Sequence, residues 1–336
     1  MIRRLILIMA ATISLSACHH IEEWDNDAPG NFDALWTILD EHYCFFDEKD
    51  IDWNVTYKKY RERVYDGMSS RMLFSVCADM VNELQDGHVN LSSWFDTSYY
   101  RNWWSDYPQN FNERLIEQYY FDFDNKSLGG LQYTILNQNV GYVRYSSFAS
   151  GIGESNLDAI LSEFMLCTGM IIDIRDNGGG NLTNVETLVR RFIRERTLAG
   201  YMVNKTGPGH DDFSNPEPYY FDPIGSEHLS WDKPVVVLTN RSTFSAANNF
   251  ASIMQFLPNV KIVGATTGGG SGIPITLEIP CGWMIRMSAV SVLDAKGNTT
   301  EFGVNPSEGC EVDLDPVLAL SGIDTMIEKA IEVILR

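Results

Sequence analysis

Positive charge is scarce in this sequence. Among 336 residues there are 25 Lys and Arg but 45 Asp and Glu, which gives a formal net charge of -20. A protein that binds nucleic acid, or that adheres electrostatically to anionic lipid, needs a clustered basic surface. We therefore expect no nucleic-acid partner. The apolar and charged fractions are otherwise ordinary for a globular protein.

Motifs for metals and nucleotides are also missing. No pair among the six cysteines has zinc-ligand spacing, and no G-x-G-x-x-G motif occurs in the right context. The glycine run 264–272 superficially resembles a phosphate-binding loop, but Gly270 stands where that loop needs lysine. The sequence also lacks the G-x-S-x-G motif of lipases. We expect neither a metal nor a cofactor.

The first apolar run is too short to cross a bilayer, which takes about 20 residues. Arg3 and Arg4 precede this run, which ends near Leu15 and is typical of a secretory signal. It finishes in LSAC, which resembles a bacterial lipoprotein cleavage box with Cys18 as the lipid-bearing residue. The alternative is an ordinary signal peptide with an incidental cysteine.

These features predict an exported lipoprotein on the periplasmic or cell-surface side of a membrane. Its signal peptide would cover 1–17, and the lipidated cysteine with its tether would cover 18–29. The lipid would be its contact with the membrane. In an exported protein Cys281 and Cys310 could form a disulfide or stay free, and the sequence leaves both open.

Residues 30–92 predict a small helical domain. Apolar residues recur at helical spacing from about Asn31 and again from about Ser70. The segment QDGHV follows, and Gly87 suits the left-handed residue that closes a helix, so His88 should lie on the next loop. The connection 93–130 is rich in Trp, Tyr and Phe. It could form a wall or lid beside a cleft, or pack between two domains.

The pattern changes to an α/β core over 131–336. A hairpin with a turn at 137–139 is followed by three nearly continuous apolar runs, at 169–174, 233–239 and 259–265. Such runs are typical of strands buried on both faces. Helical patterns separate them, the first with Thr183 and Glu186 at capping-box spacing. This β-α-β-α-β order predicts a parallel sheet with right-handed crossovers.

Two local patterns in this core could carry chemistry. Ser245 follows the second apolar run and opens the predicted helix 246–257, where free N–H groups favour a developing anion. Its simpler interpretation is a helix N-cap. The segment DIRDNGGGN, residues 173–181, follows a buried strand and could supply a backbone oxyanion donor. Its simpler interpretation is a tight turn.

Five ordered segments resemble the tail-specific, or C-terminal-processing, serine peptidases. They are VGYVRYSSF, GMIIDIRDNGGGN, PVVVLTNRSTFSAANNFA, KIVGATTGGGSG and TTEFGVNPS. This superfamily also includes the tricorn core protease and retinoid-binding modules. The resemblance covers about 30–315 and is specific over 170–306. It implies that Ser245 is the nucleophile, three residues before Asn248, where the processing branch usually has Glu. Gly270 replaces the general-base lysine of that branch.

The tricorn-like branch takes its base from the helical domain. ELQDGHVNL resembles that element and implies His88 as the base, while TTEFGV implies Glu301 as the carboxylate that orients the histidine. The implied oxyanion donors are the N–H groups of Ala246 and of Gly178 or Gly179. The chemistry is consistent, because a serine hydroxyl needs an adjacent base and a carboxylate stabilises the imidazolium.

The resemblance implies a serine peptidase that hydrolyses oligopeptides or unfolded proteins through an acyl-enzyme on Ser245. Many members carry a PDZ domain, but the stretch between His88 and the first core strand is short and lacks its character, so we expect none. The alternative is a non-catalytic lipoprotein that binds a peptide or an apolar ligand on the same fold. An esterase using the same residues is a third possibility. The oligomeric state is not predicted.

Overall fold

A computed structural model describes residues 24–336. Three helices come first: α1 (Ala28–His42), α2 (Trp53–Arg61) and α3 (Ser70–Asn82). Each begins after a residue whose side chain accepts a backbone N–H of the first turn, namely Asp27, Asp52 and Ser69. The predicted signal peptide and Cys18 lie outside the described residues.

The aromatic-rich connection contains little regular structure. It follows strand β1 (Asn90–Ser92) and carries two short helices, α4 (Asn102–Ser105) and α5 (Glu113–Tyr119). Leu115, Ile116 and Phe121 pack against one face of the large sheet of the core. That part of the connection therefore has a packing role, which is one of the two interpretations that the sequence left open.

A six-stranded sheet forms the centre of the molecule. Its strands are β2 (Lys126–Leu128), β3 (Leu131–Leu136), β4 (Val140–Tyr145), β5 (Gly169–Asp173), β8 (Val235–Thr239) and β9 (Val260–Gly264), in that spatial order. The pairs β2–β3 and β3–β4 are antiparallel, whereas β4, β5, β8 and β9 run parallel. The predicted hairpin and the predicted parallel core are thereby confirmed.

Helices cover both faces of this sheet, which explains why its central strands are apolar along their whole length. One face packs against α6 (Glu154–Glu163), α7 (Leu182–Val189) and α8 (Ala246–Met254). The other packs against α5 and the last helix, α10 (Thr325–Leu335), which follows the short α9 (Pro316–Leu320). The cap of α7 is Asn181, which accepts the N–H of Thr183, so the predicted cap at Thr183 was wrong.

A second, antiparallel sheet joins the helical segment to the core. Its strands are β1, β6 (Thr197–Val203), β7 (Glu217–Phe221), β10 (Gly272–Glu278) and β11 (Met284–Leu293). β11 pairs with β1, β10 and β6. Helices α1–α3 share one hydrophobic core with β1, β10 and β11. The helical segment therefore has no separate core, and β11 connects it to the rest of the protein.

The cysteines do not form the disulfide that the sequence left open. Cys281 and Cys310 are both free thiols. Cys281 packs in the core of the helical segment, whereas Cys310 is buried on the far face of the six-stranded sheet. Among residues 24–336, no helix is both long enough and apolar enough to cross a membrane.

Candidate active site

Ser245 lies on a strained turn between β8 and α8. Its backbone has φ 57° and ψ -122°, a left-handed conformation that a non-glycine residue adopts only when its surroundings enforce it. The Ser245 N–H donates to the carbonyl of Gly269 at 2.9 Å, which fixes the turn against the glycine run. Since α8 starts at the next residue, the hydroxyl lies at a helix N-terminus, where negative charge is stabilised.

His88 lies on the loop after α3. The left-handed residue that ends this helical stretch is Gln85, with φ 46°, and not Gly87 as the sequence predicted. Gly87 is needed for another reason, which is close packing. A Cβ atom there would lie 2.6 Å from Trp103 Nε1 and 2.9 Å from the ring of Phe244. These contacts fix the loop that carries His88.

The structure brings His88 and Ser245 together across 157 positions of sequence. His88 Nε2 lies 3.0 Å from Ser245 Oγ. The imidazole is 3% exposed, and its ring centroid lies 4.7 Å from that of Phe244. Burial lowers the pKa of His88 to about 4, although the charge of Asp86 raises it. The imidazole is therefore neutral at neutral pH, which is the state that a general base requires.

Position 270 has no room for a lysine side chain. Gly270 has φ 73°, and a Cβ atom would lie 2.3 Å from the ring of Phe244. That ring stacks on Trp103 with a centroid separation of 4.1 Å, and its other neighbour is His88. An aromatic side chain that supports the histidine thus fills the volume that a side chain at position 270 would enter.

Glu301 does not contact His88, so the orienting hydrogen bond that the resemblance implied is not formed. Its carboxylate lies 3.0 Å from Lys49 Nζ and accepts the N–H of Ser271 at 2.9 Å. Its backbone carbonyl accepts the N–H of Gly270. Burial, reinforced by the charge of Asp86, raises the pKa of Glu301 to about 8, while Lys49 lowers it. Within residues 24–336, His88 Nδ1 has no hydrogen-bond partner.

Two backbone N–H groups near Ser245 are free to bind an anion. Gly179 lies against the serine, because a Cβ atom there would be 2.7 Å from Ser245 Cβ. Its N–H, however, donates to Asn177 Oδ1 at 3.0 Å. In the described part of the chain, the N–H groups of Gly178 and Ala246 have no partner. Of the two predicted glycine donors, Gly178 is thus the available one.

A buried ion cluster supports the glycine loop after β5, and sequence reasoning missed it. Arg175 pairs with Asp173 at 2.6 Å and with Asp324 at 2.8 Å, and all three side chains are fully buried. Asn177 Nδ2 donates to the carbonyl of Tyr145, which anchors the loop to β4. The one available signal was the unusual placement of Asp and Arg directly after a buried strand. Among the described residues, no group of acidic, His or Cys side chains could hold a metal ion.

Two cavities lie next to the chain segments that carry Ser245 and His88. A small one of about 120 Å³ is lined by Ser245, Ala246, Leu182 and the start of β10. A larger one of about 720 Å³ includes Gly87 and Phe244 in its walls, and its other aromatic walls are Tyr100, Trp103, Tyr107 and Phe302. Part of the aromatic connection therefore lines a cavity, as the other interpretation of the sequence supposed.

Comparison with known families finds two matches that together cover most of the described chain. The model for Peptidase family S41 matches residues 139–308. The model for the Tricorn protease C1 domain matches residues 25–82. The first match contains Ser245 and both glycine segments, while the second ends six residues before His88.

Relatives of known name and solved structure agree with these matches. Over 184 residues the chain is 29% identical to a carboxyl-terminal-processing protease of Synechocystis, and over 178 residues 26% identical to the carboxy-terminal processing protease CtpA of Bacillus subtilis. These matches cover 53% and 52% of this chain but only 39% and 36% of those proteins. The crystal structure of a proposed peptidase from Parabacteroides merdae is 44% identical, with a TM-score of 0.88, and the match covers 93% of this chain and 98% of that one.

Proposed function

Because the chain belongs to peptidase family S41, we propose that it is a serine peptidase of the Ser–His type, in which Ser245 is the nucleophile and His88 the general base. Its substrates would be oligopeptides or unfolded proteins. The observation that carries this proposal is the 3.0 Å contact between His88 Nε2 and Ser245 Oγ. A buried neutral imidazole hydrogen-bonded to a serine at a helix N-terminus is the arrangement that activates a hydroxyl.

The reaction follows from these positions. Ser245 Oγ attacks the scissile carbonyl carbon while its proton passes to His88 Nε2. The carbonyl oxygen becomes an anion that accepts hydrogen bonds from the N–H groups of Ala246 and Gly178. As the C–N bond breaks, His88 gives the proton to the leaving amine, and an ester on Ser245 remains. Water, deprotonated by His88, then attacks this ester and releases the carboxylic acid.

Glu301 supports the glycine run in this proposal. Its carboxylate and its carbonyl hold Ser271 and Gly270, next to the Gly269 carbonyl that fixes the Ser245 turn. Glu301 is the match to the tricorn-like branch, but in this conformation it acts through the loop and not through His88 Nδ1. The absence of lysine at position 270 favours this branch over the Ser–Lys branch.

Labelling with a fluorophosphonate tests the assignment. The reagent forms a P–O bond to an activated serine and loses fluoride. We expect stoichiometric labelling of the intact protein, with the adduct on Ser245, and no labelling of Ser245→Ala. Ser242→Ala is the matched control, because Ser242 is a half-buried serine of the same turn. Equal labelling of the intact protein and Ser245→Ala, or none of either, would contradict the proposal.

A second candidate function is non-catalytic binding of a peptide or an apolar ligand. The 720 Å³ cavity supports it, because its walls combine aromatic side chains with charged ones such as Lys49, Asp106 and Arg241. A binding protein would keep its affinity for a hydrophobic probe such as anilinonaphthalene sulfonate in Ser245→Ala and would form no acyl-enzyme. An esterase would use the same residues, so turnover of esters but not of peptides by the intact protein would identify it.

We also propose that the protein is an exported lipoprotein, anchored to a membrane by lipid on Cys18 and facing the periplasm or the cell surface. The support is the sequence alone, namely LSAC after a basic and apolar leader. Metabolic labelling with a palmitate analogue tests it. The label should appear on the intact protein and disappear in Cys18→Ala, and an unlabelled membrane-free protein would refute it.

A further inference from the structure

Asp86 is a buried carboxylate that no step of the proposed mechanism uses. It stands two residues before His88 and is 1% exposed. Its Oδ1 accepts the backbone N–H of His88 at 2.7 Å, and its Oδ2 accepts the hydroxyl of Ser288, on β11, at 2.9 Å. The Asp86 carboxylate therefore joins the His88 loop to β11.

No cation pairs directly with this carboxylate in the described part of the chain. A neighbouring positive group is half-buried Arg286, whose guanidinium donates to the carbonyl of His88 at 3.2 Å. Burial lowers the pKa of Arg286, and the charge of Asp86 opposes that shift. A buried carboxylate without an adjacent cation costs several kcal/mol.

His88 is the group that needs this negative charge. During the proposed reaction the imidazole becomes a cation while it is 3% exposed. Burial and the cations Arg286 and Lys49 all disfavour that cation, and Asp86 is the neighbour whose charge favours it. Without a compensating anion, the proton transfer from Ser245 would be opposed by the full desolvation of an imidazolium.

Glu301 is not in a position to replace Asp86. Its oxygens are occupied by Lys49 and by the N–H of Ser271. Burial and the charge of Asp86 raise its pKa, which disfavours its charged form, while Lys49 opposes that shift. The hydroxyl of Tyr43, also buried nearby, has its pKa raised by burial and by both carboxylates and carries no charge. Asp86 is thus the remaining source of negative charge at His88.

We propose that Asp86 is a positioning residue of the reaction, which holds the His88 backbone through one oxygen and stabilises the protonated imidazole through its charge. The inference rests on the proposed function, because Asp86 acts only through His88.

The variant Asp86→Asn tests the charge alone. Asparagine has the same shape, and its Oδ1 can still accept the His88 N–H, so the loop keeps its anchor. We expect the rate constant for fluorophosphonate labelling of Ser245 to fall about 10- to 100-fold, which corresponds to one or two pKa units of imidazolium stabilisation. The labelling rate falls at low pH as His88 is protonated, and we call this part of the pH profile the acid limb. It should move to lower pH in Asp86→Asn, because the group that raises the His88 pKa has been neutralised.

Ser288→Ala is the matched control. It removes the other hydrogen bond of Asp86 but leaves the charge, so the loss should be much smaller and the acid limb should not move. If Asp86→Asn and Ser288→Ala behave alike in rate and in pH profile, Asp86 has a structural role only and the inference is overturned. Failure of the proposed function looks different, because then the intact protein is not labelled at Ser245 at all.

A second variant covers the case in which Asp86→Asn does not fold. Arg286→Gln removes a cation that lowers the His88 pKa and faces Asp86. With Asp86 no longer partly neutralised, the acid limb should move to higher pH, opposite to Asp86→Asn. Lys49 and Glu301, the other charged groups that face this cluster, are unchanged in both variants. An unmoved limb in Arg286→Gln would overturn the electrostatic account.

Discussion

The nucleophile half of the site and the base half are held by different kinds of contact. Ser245 is fixed by the α/β core, through the end of β8, the start of α8 and the Gly269 carbonyl. His88 lies on a loop held from several directions, by Phe244 of the core, Arg286 of β11 and its own neighbour Asp86. Backbone geometry and a backbone hydrogen bond within the α/β core thus present the hydroxyl, whereas side-chain contacts present the imidazole. Changes remote in sequence should therefore disturb the base more than the nucleophile.

The largest effect should come from removing the base while leaving the nucleophile in place. His88→Ala keeps the strained turn at Ser245 and the free N–H groups of Gly178 and Ala246. We expect turnover to fall by about 10⁴–10⁶, as when the base of a serine-peptidase triad is removed, because the hydroxyl keeps its proton. The rate of fluorophosphonate labelling measures this loss.

A partly buried histidine provides the control for His88→Ala. His210 stacks on Phe46, and its Nδ1 lies 2.7 Å from Asp40 Oδ1. His210→Ala should leave the labelling rate within about threefold, as expected for a change outside the reacting groups. Similar losses in the two variants would mean that folding, and not proton transfer, limits labelling.

The next effect tests whether the base can be moved to the nucleophile half. Gly270→Lys restores the residue of the processing branch, but the new side chain would collide with Phe244, and φ 73° is unfavourable for lysine. We expect a loss of about 2–4 kcal/mol in unfolding free energy, measured by denaturant titration. Labelling should fall about a hundredfold, because Phe244 supports His88 and small displacements of a base are costly.

Gly297→Lys is the control for Gly270→Lys. It has a similar φ of 80°, but nothing lies within 4 Å of its Cβ position. It should therefore cost only the backbone strain, about 1 kcal/mol. If Gly270→Lys in the His88→Ala background regains activity, the lysine has found a productive position, and the packing argument at Phe244 is wrong.

The pH dependence distinguishes a buried base from an exposed one. The His88 pKa is lowered to about 4 from an ordinary value of 6.5. Since the base must be neutral, the labelling rate should stay nearly level down to about pH 5 and decline near 4. A histidine of ordinary pKa would already lose about 30-fold at pH 5. A midpoint near 6.5 would show that His88 is exposed in solution or is not the base.

Unfolding must be separated from this titration. Since the folded-state pKa of His88 is lowered, its contribution to stability is present above about pH 6.5 and is lost as the pH falls through 4. Near-ultraviolet circular dichroism at each pH identifies the range in which the protein is still folded, and only rates within that range count.

The difference between the two halves also explains how far the sequence could predict the molecule. The central strands were predictable because burial on both faces makes them apolar throughout. The antiparallel sheet was not, since β10 and β7 are partly exposed and show no clean alternation. The pairing of β11 with three other strands depends on segments far apart in sequence.

In the candidate site, too, the local features were predictable from the sequence and the contacts between distant segments were not. Ser245 stood out locally, as a serine between a buried strand and a helix. His88 was found only through the resemblance, because nothing local indicates which loop reaches the serine. The partners of Glu301 and the role of Gly87 depend on Lys49, Trp103 and Phe244, whose positions follow from tertiary packing. Asp86 lies in the segment QDGHV, but the sequence does not show that its side chain is buried.

The smallest effect on the labelling rate should come from removing a side-chain amide, Asn248, that hydrogen-bonds within the nucleophile half of the site. Asn248 is fully buried on α8 and accepts the Thr267 hydroxyl at 2.6 Å. Its Nδ2 donates to Thr300, next to Glu301, at 3.2 Å. Asn248→Ala removes the acceptor of the buried Thr267 hydroxyl and one donor to Thr300, whose carbonyl keeps the Gly303 N–H. This should cost about 1–3 kcal/mol in unfolding free energy. The labelling rate should fall only a few-fold, because the Ser245 turn keeps its bond to Gly269.

Gln255→Ala is the matched amide deletion at the other end of α8. Gln255 is half-buried and donates to the Ser252 carbonyl within its own helix, so its loss should cost less than about 1 kcal/mol. A large fall in the labelling rate of Asn248→Ala would mean that the turn at Ser245 depends on the side-chain tie between α8 and the glycine run. The nucleophile would then depend on side-chain contacts as the base does, and the contrast between the two halves would fail.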